Sequence, residues 1–279
     1  MNAPVLDRPP DSAAEVLRFG PGQSPVLFSV PHAGTDCPEW LRSRLTSSAL
    51  ELPDTDWEVD RLVDFVPSRG HGLLVARATR YLVDLNRPTD DHNLYPGQPT
   101  SGLCPLQQFD GQAIYRPGQE PDELEVRRRV DGWWRPYHQA LRDELKRIRE
   151  LHGFAILFDC HSIAAQVPRL FEGTLPALNL GTNGGRSCDP ELQAAVESAM
   201  AESELSSVSN GRFVGGAITR GFGQPRDGVH ALQMEMSWDA YRRDGEWDPL
   251  RAARLVEALR AMTEAMEGWI DRRREARLR

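Results

Sequence analysis

The chain is poor in cysteine. Four of its 279 residues are cysteines: Cys37, Cys104, Cys160 and Cys188. They lie far apart and form no Cys-x-x-Cys pair, and this spacing excludes a cysteine-based zinc finger. In a chain of this length, widely spaced cysteines are more typical of free thiols than of a disulfide framework. We therefore expect four free thiols and a cytoplasmic protein.

Long apolar segments and an excess of positive charge are also missing. No run approaches the roughly 18–20 apolar residues that span a bilayer, and the first residues, MNAPVLDRPPDSAAEV, contain no apolar core of a secretory signal. The net charge is −8, and the one Arg/Lys-rich stretch, 127–149, also contains Asp and Glu, as a solvated helix face does. We expect neither a membrane nor a nucleic-acid partner, and no pattern indicates an oligomeric state.

Two common catalytic motifs are not supported either. There is no Gly-x-Ser-x-Gly, so a serine hydrolase elbow has no basis. The string Gly221-Phe222-Gly223 lacks the strand-then-helix setting of a dinucleotide-binding loop. A catalytic or binding site in this chain must therefore be formed by other side chains.

Hydrophobic patterning predicts alternating strands and helices. A buried strand followed by a loop is predicted at 25–34, further strands at 153–162 and 229–237, and two short strands or a hairpin at 72–85. Helices are predicted at 55–69, 122–151, 190–204 and 248–276, and Pro136 should kink the second. Loops rich in Gly and Pro occupy 86–120 and 163–188, the latter with a possible short strand at 176–180. The order predicts an α/β fold: a loosely ordered arm, 1–24, then a single domain, 25–279, with a mixed, mostly parallel central sheet flanked by helices.

Reactive side chains stand at the ends of the predicted strands. His32 follows the first, Asp159 and His161 end another, and Glu235 lies in the last. Because sites in α/β sheets form outside the carboxyl ends of strands, the two histidines could bind a metal. Asp159 shares a strand face with His161 and could orient its imidazole, while Glu235 could accept a proton from water. From the residues alone, a metal site and ordinary buried histidines are about equally favoured.

Arginines in two other segments suggest an anionic ligand. Arg80, Asn86 and Arg87 lie in RYLVDLNRP (80–88) and are typical of a carboxylate clamp. Arg220 lies in GGAITRGFG (215–223), where the glycines permit close approach of a ligand. Surface arginines and an ordinary flexible loop are the alternatives. Next to a metal site, the clamp favours a small anionic substrate.

Seven short segments, taken in order, resemble the N-formylglutamate deformylase family. They are VPHAG (30–34), TDW (55–57), RYLVDLNRP (80–88), DCHS (159–162), PRLFEGTLPALNLGTN (168–183), GGAITR (215–220) and HALQMEM (230–236). The resemblance extends from about residue 25 to the C-terminal helix. It implies a zinc-dependent amidohydrolase that converts N-formyl-L-glutamate to L-glutamate and formate, the last step of a branch of histidine degradation. The chain is also similar to aspartoacylases and zinc carboxypeptidases, which implies a phosphorylase/hydrolase-like fold that holds one zinc ion.

The resemblance implies a role for each candidate residue. The zinc ligands would be His32, Asp56 and His161, with Asp159 behind His161; Glu235 would be the base, Arg80 would stabilise the oxyanion, and Asn86, Arg87 and Arg220 would bind a small dianionic substrate. The relatives take their first histidine and a glutamate ligand from His-x-x-Glu, whereas Thr35 stands at that glutamate position here. Asp56 is therefore our candidate for the carboxylate, and Asp36, Asp54 and Glu58 are the alternatives. Asp56 could instead be a helix N-cap, and another divalent metal could replace zinc.

Two other functional classes remain open. The first is a zinc deacylase that acts on a different N-acyl amino acid, as an aspartoacylase-like enzyme would. The second is a non-catalytic metal- or carboxylate-binding protein, and Glu235 beside the candidate site argues against it.

Overall fold

A mixed seven-stranded sheet forms the centre of the protein, which a computed structural model describes over residues 13–94 and 97–278. The strands are β1 (Leu17–Gly20), β2 (Val26–Val30), β3 (Gly72–Ala76), β4 (Ala155–Ile163), β5 (Leu178–Gly181), β6 (Ser207–Ser209) and β7 (Val229–Ser237). Their order in the sheet is β1-β3-β2-β4-β7-β5-β6, and the β1–β3 and β5–β7 pairs are antiparallel while the other pairs are parallel. A separate two-stranded ribbon pairs β8 (Arg242–Arg243) with β9 (Glu246–Trp247). The predicted mixed, mostly parallel α/β fold is confirmed.

Helices cover both faces of the sheet. They are α1 (Ala13–Val16), α2 (Glu39–Arg42), α3 (Val59–Leu62), α4 (Glu123–Arg129), α5 (Arg135–His152), α6 (Pro190–Glu202), α7 (Ala217–Phe222) and α8 (Pro249–Leu278). Capping residues mark the ends of three helices. The Asp122 and Asp189 side chains accept backbone N–H bonds at the starts of α4 and α6. Gly153, at φ 81°, ends α5. Among the described residues, no helix is both long enough and apolar enough to cross a membrane.

Alternation along the buried strands divides the core in two. Val26, Phe28 and Val30 of β2 face α6 and α8, whereas Leu27 faces α5. β2 and β4 are buried at every position, as strands covered on both faces should be. The four cysteines are free thiols, as expected.

Three neighbouring parallel strands carry the candidate residues to one edge of the sheet. In the pairing of β4 with β7, His161 lies opposite Glu235, and β2, on the other side of β4, ends two residues before His32. The chain separates these side chains widely, yet the sheet order makes them neighbours. This is the edge at which sites in parallel sheets form.

The arm and the first helix differ from expectation. Residues 13–20 are not a loose arm but form α1 and the edge strand β1, because Val16 and Leu17 are buried against the core; residues 1–12 lie outside the described part. The helix expected at 55–69 is reduced to α3 and a 3-10 turn, Pro67–Arg69. Glu58 has φ 54°, which an α-helix cannot accommodate, and Val63, at φ −108° and ψ 18°, has left the helical region at the other end of α3.

Two other predictions needed correction. The hairpin or strand pair expected over 72–85 is wrong beyond β3, because the Tyr81 and Leu82 carbonyls accept hydrogen bonds from the Arg129 side chain instead of pairing with a strand. The helix expected at 122–151 is interrupted before Pro136 by a π-helical turn, Val130–Trp134, and Pro136 then sits in the first turn of α5, where a missing N–H is tolerated. The segment expected as a glycine-rich loop around Arg220 contains α7.

Candidate active site

His32 lies just beyond β2, with one ring nitrogen bonded to Asp84 and the other turned toward Asp56. Its Nε2 is 2.8 Å from Asp84 Oδ1, and both side chains are almost fully buried. Its Nδ1 is buried without a hydrogen-bond partner among the described residues. A buried imidazole nitrogen left in this state is rare in a protein interior. The contact with Asp84 requires the proton on Nε2, so Nδ1 carries the lone pair that a metal ligand needs.

His161 has the same arrangement on β4. Its Nε2 is 2.8 Å from Asp159 Oδ2, and Ser29 donates to the other oxygen of Asp159 at 2.7 Å. The Asn86 amide nitrogen is 3.1 Å from the same imidazole nitrogen, but the shorter Asp159 contact fixes the proton there. Burial opposes protonation of His161, yet the charge of Asp159 and the hydrogen bonds raise its pKa well above the ordinary value. The Asp159 carboxylate thus holds one side of the imidazole, and Nδ1 faces Asp56.

Asp56 lies between the two imidazoles. Its Oδ2 is 3.3 Å from His161 Nδ1 and 3.7 Å from His32 Nδ1, and it accepts the Ser162 backbone N–H at 3.0 Å. Burial alone would raise the pKa of Asp56, but its interactions with the two histidines and with Arg80 outweigh burial and lower that pKa. Asp56 is held there because its own N–H donates to the His32 carbonyl at 3.0 Å. It is not the N-cap of α3, since Glu58 holds that position.

The three side chains fit a divalent metal. One ligand atom from each of His32, Asp56 and His161 lies within 4.8 Å of the others, and all three residues are buried. Two imidazole nitrogens and one carboxylate form a donor set typical of catalytic zinc, with room for a further ligand. The unpartnered Nδ1 and the carboxylate behind each imidazole are the features such a site requires.

The alternative carboxylates are engaged elsewhere. Asp36 pairs with Arg77 at the surface, Asp54 accepts from the Tyr81 hydroxyl at 2.8 Å, and Glu58 pairs with Arg242. None of the three is grouped with the histidines in the described part of the chain.

Arg80 connects the carboxylates of the site. Its Nη2 donates to Asp84 Oδ2 at 2.9 Å, and its Nη1 donates to Asp56 Oδ1 at 3.3 Å and to the Asp54 carbonyl at 3.1 Å. Its Nε is buried and has no partner among the described residues. Arg80 therefore fixes both carboxylates, and its Nε–H stays without a partner among the described residues.

Asp84 is the site residue that sequence reasoning missed. In the motif RYLVDLNRP the arginines and the asparagine suggest a clamp, and nothing in the pattern itself assigns a role to the central carboxylate. A signal was available: His161 has Asp159 behind it, and a second metal-binding histidine needs an equivalent carboxylate. Burial opposes ionisation of Asp84, but the charges of His32 and Arg80 hold its pKa well below the ordinary value.

Glu235 completes the cluster from β7. It is 6% exposed and lines the cavity beside His161, its register partner on β4. Burial raises the pKa of Glu235 to about 8, against the opposing effect of His161. A carboxyl group with a pKa near neutrality can both accept and return a proton.

The cavity next to these groups has a volume of about 80 Å³. Asn86 and Arg87 line it, together with Gly216 and Arg212, to which no sequence pattern assigns a role. Asn86 is fixed by the Ile218 N–H, which it accepts at 2.9 Å. Gly216 must lack a side chain, because a Cβ there would lie 2.4 Å from Asn86 Nδ2.

Arg220 is the candidate that the structure does not bring to the cavity. It is not among the lining residues in the part of the chain that the structure describes. Its Nε donates to the Gly215 carbonyl at 2.7 Å and its Nη1 to the Leu94 carbonyl at 2.8 Å. Both contacts are to backbone, so Arg220 holds two loops together.

Comparison with known proteins places these residues in a family. A model described as N-formylglutamate amidohydrolase matches residues 24–242. A protein of Pseudomonas aeruginosa named N-formylglutamate deformylase is 45% identical over 260 residues, which cover 91% of this chain and 97% of that protein. One of the same name from Pseudomonas putida is 44% identical over 233 residues, covering 83% of this chain and 87% of that protein.

Solved structures agree on the fold. The crystal structure of an N-formylglutamate amidohydrolase from Ralstonia eutropha matches with a TM-score of 0.79 at 24% identity, covering 92% of this chain and 99% of that one. A gene product of Agrobacterium tumefaciens matches with a TM-score of 0.70 at 18% identity, covering 92% and 98%. At these identities the two structures support the architecture of the sheet and helices.

Proposed function

The chain belongs to the N-formylglutamate amidohydrolase family, and we propose from this membership that it hydrolyses the formyl amide of N-formyl-L-glutamate to L-glutamate and formate. Two relatives covered over most of their length carry the name of that activity. The observation that carries the proposal is the buried His32–Asp56–His161 group with Glu235 beside it. Hydrolysis of an amide needs a polarised carbonyl and a base for water, and this arrangement fits both needs.

The metal in this proposal is zinc, held by His32, Asp56 and His161. A divalent ion bound there would polarise the formyl carbonyl and make water more acidic. The donor set fits zinc, and iron, manganese or cobalt can occupy similar sets. Asp84 and Asp159 would keep the two imidazoles in the tautomer and orientation that binding needs.

Proton transfer is assigned to Glu235. Its carboxylate takes the proton of the attacking water and then delivers it to the leaving amine of glutamate. The Arg80 Nε–H, which has no partner among the described residues, is the donor assigned to the oxygen of the formyl group as negative charge develops there. The other N–H groups of Arg80 hold Asp56 and Asp84 in place.

Substrate binding is assigned first to Arg87. It lines the cavity, and its Nη2 donates to Ser101 Oγ at 3.2 Å, which limits its movement. A guanidinium can pair with a carboxylate through two parallel hydrogen bonds. Asn86 orients the neighbouring backbone, and Arg220 contributes through the loops that it ties. In this proposal the reaction is the last step of a branch of histidine degradation and takes place in the cytoplasm.

The direct test combines metal analysis with a formate-release assay on N-formyl-L-glutamate. Purified protein should contain about one divalent ion per chain and release formate; chelation should abolish release, and zinc should restore it. Acetate release from N-acetyl amino acids, assayed in parallel, would reveal a different acyl specificity. A metal-loaded protein that cleaves no acyl amide would contradict the proposal.

The base assignment has its own variant. Glu235→Gln should keep the metal but lower kcat by about 10²–10⁴-fold, because the amide cannot accept the proton of water. The matched control is Glu120→Gln, because Glu120 is exposed and far from Glu235 in the sequence. Its kcat should equal that of the unmodified protein. Near-normal turnover in Glu235→Gln would remove Glu235 from the mechanism.

A further inference from the structure

Three arginines line the cavity: Arg80, Arg87 and Arg212. The terminal nitrogens of Arg80 are taken by carboxylates and a carbonyl of the site itself. Arg87 and Arg212 bring two further guanidinium groups to the same cavity. A substrate with two carboxylates needs two such partners.

The two arginines hold the same short segment of the cavity wall. Arg87 donates from Nη2 to Ser101 Oγ at 3.2 Å, and Arg212 donates from Nη2 to the Pro99 carbonyl at 3.2 Å. Residues two apart in a chain are separated by at most about 7 Å. The two guanidinium groups are therefore anchored within one three-residue segment of the wall.

Arg87 is linked to the metal-binding side chains: Ser101 Oγ, to which it donates, itself donates to Asp84 Oδ2 at 3.4 Å, and Asp84 contacts His32. Arg87 also follows Asn86, whose amide nitrogen is 3.1 Å from His161 Nε2. Arg212 is anchored on the other side: its Nε donates to the Leu170 carbonyl at 3.0 Å, and its guanidinium carbon is 5.3 Å from the centre of the Phe213 ring. Leu170 and Phe213 also line the cavity, so an apolar surface accompanies Arg212.

We infer that Arg212 binds the side-chain carboxylate of the substrate, while Arg87 binds its main-chain carboxylate. The inference rests on the proposed function. The main-chain carboxylate of an N-formyl amino acid shares a carbon with the reacting nitrogen, so it must lie close to the metal-binding group. The side-chain carboxylate lies beyond two methylene groups, which would contact Leu170 and Phe213. Arg212 thus selects glutamate-like substrates, a task that the sequence assigned in part to Arg220.

The test is a substrate-by-variant comparison. Formate release is measured for N-formyl-L-glutamate, for N-formyl-L-glutamine, which lacks the side-chain charge, and for N-formyl-L-isoglutamine, which lacks the main-chain charge. Arg212→Gln should lower kcat/KM for N-formyl-L-glutamate by roughly 10- to 150-fold, the effect of losing a charged hydrogen bond. Its kcat/KM for N-formyl-L-glutamine should change by less than about threefold, so the preference for glutamate collapses.

Two further variants complete the design. Arg87→Gln should erase the preference for N-formyl-L-glutamate over N-formyl-L-isoglutamine and keep the preference over N-formyl-L-glutamine. Arg169→Gln is the matched control, because Arg169 adjoins Leu170 but bonds Gln107 at 3.1 Å and is not among the described lining residues. If Arg212→Gln does not fold, Arg212→Lys replaces it. That variant keeps the charge without the planar fork, so the preference for glutamate should fall but persist.

The outcomes separate the two proposals. If the unmodified protein releases formate from none of the three substrates, the proposed function fails. If it is active but Arg212→Gln lowers kcat/KM equally for all three substrates, or leaves the preference for N-formyl-L-glutamate unchanged, the assignment of Arg212 is wrong. The proposed function then stands.

Discussion

Replacing Asp84 by asparagine should weaken metal binding and destabilise the metal-free protein. Asp84 is 1% exposed and uses both oxygens, Oδ1 at 2.8 Å from His32 Nε2 and Oδ2 at 2.9 Å from Arg80 Nη2. Asparagine keeps the shape of the side chain but loses its charge. Its amide N–H would also face an N–H donor, that of either His32 or Arg80. A carboxylate behind a metal-binding imidazole contributes about 10- to 100-fold in metal affinity.

The stability of the metal-free protein should fall as well. Arg80 would lose its shortest carboxylate contact and keep Asp56 at 3.3 Å and the Asp54 carbonyl at 3.1 Å. A hydrogen bond to a charged group contributes about 1.5–3 kcal/mol, so the free energy of unfolding should drop by about that amount. Because two contacts to Arg80 remain, the variant should still fold.

Two measurements check this prediction: the zinc dissociation constant from competition with a chelator, and urea unfolding of the metal-free protein. The matched control is Asp90→Asn, since Asp90 also contacts a histidine, His92, at 2.7 Å, but its side chain is 71% exposed. The control should change neither quantity measurably. If Asp84→Asn binds zinc as tightly as the unmodified protein and unfolds at the same urea concentration, the view that Asp84 orients His32 is refuted.

Three more predictions address the clamp, the cavity wall and the dependence of stability on pH. Arg87→Lys should raise KM for N-formyl-L-glutamate about tenfold with little change in kcat, because lysine cannot present a planar fork; an unchanged KM in steady-state kinetics would exclude Arg87 from binding. Gly216→Ala should lower kcat/KM more than tenfold, since its Cβ would displace Asn86, whereas Gly221→Ala, with nothing within 4 Å of the added Cβ, should be neutral in the same assay. Burial lowers the pKa of His138 from 6.5 to about 4, so the unfolded chain takes up a proton that the folded protein refuses as pH falls through this window. The free energy of unfolding therefore falls toward acid pH, by up to about 3 kcal/mol for this residue. Urea unfolding of His138→Gln, measured across this pH range, should lack that decrease. Identical pH profiles for the two proteins would contradict the prediction.

The buried strands were predictable because their hydrophobic runs permit no other placement. The segment 229–237 was predicted as a strand and is β7, and the strand predicted at 153–162 is β4, displaced by no more than two residues at each end. Apolar residues on both faces of a strand require cover on both sides, so these segments must lie in the middle of the sheet. His161 and Glu235 follow from the same pattern, since they stand in these strands.

The residues on irregular backbone were harder to predict. Asp56 was one carboxylate among several, and only the hydrogen bond of its N–H to the His32 carbonyl selects it, a contact between chain segments that no local pattern encodes. Arg212 and Arg220 both lie near glycine-rich turns, and no sequence pattern distinguishes the one that lines the cavity. Periodicity reports burial along an element, whereas these side chains are placed by loops whose course depends on the rest of the fold.

The position of β7 also bears on how the protein acquires activity as it is made. The side chains of the metal-binding group belong to the first 161 residues, but Glu235 stands on a strand that is late in the chain and central in the sheet, between β4 and β5. During synthesis the N-terminal part emerges first, so the metal-binding residues leave the ribosome well before the base. Insertion of β7 beside β4 is then the folding step that brings Glu235 to the site, and a chain arrested before it would carry the ligands without the group assigned to move the proton.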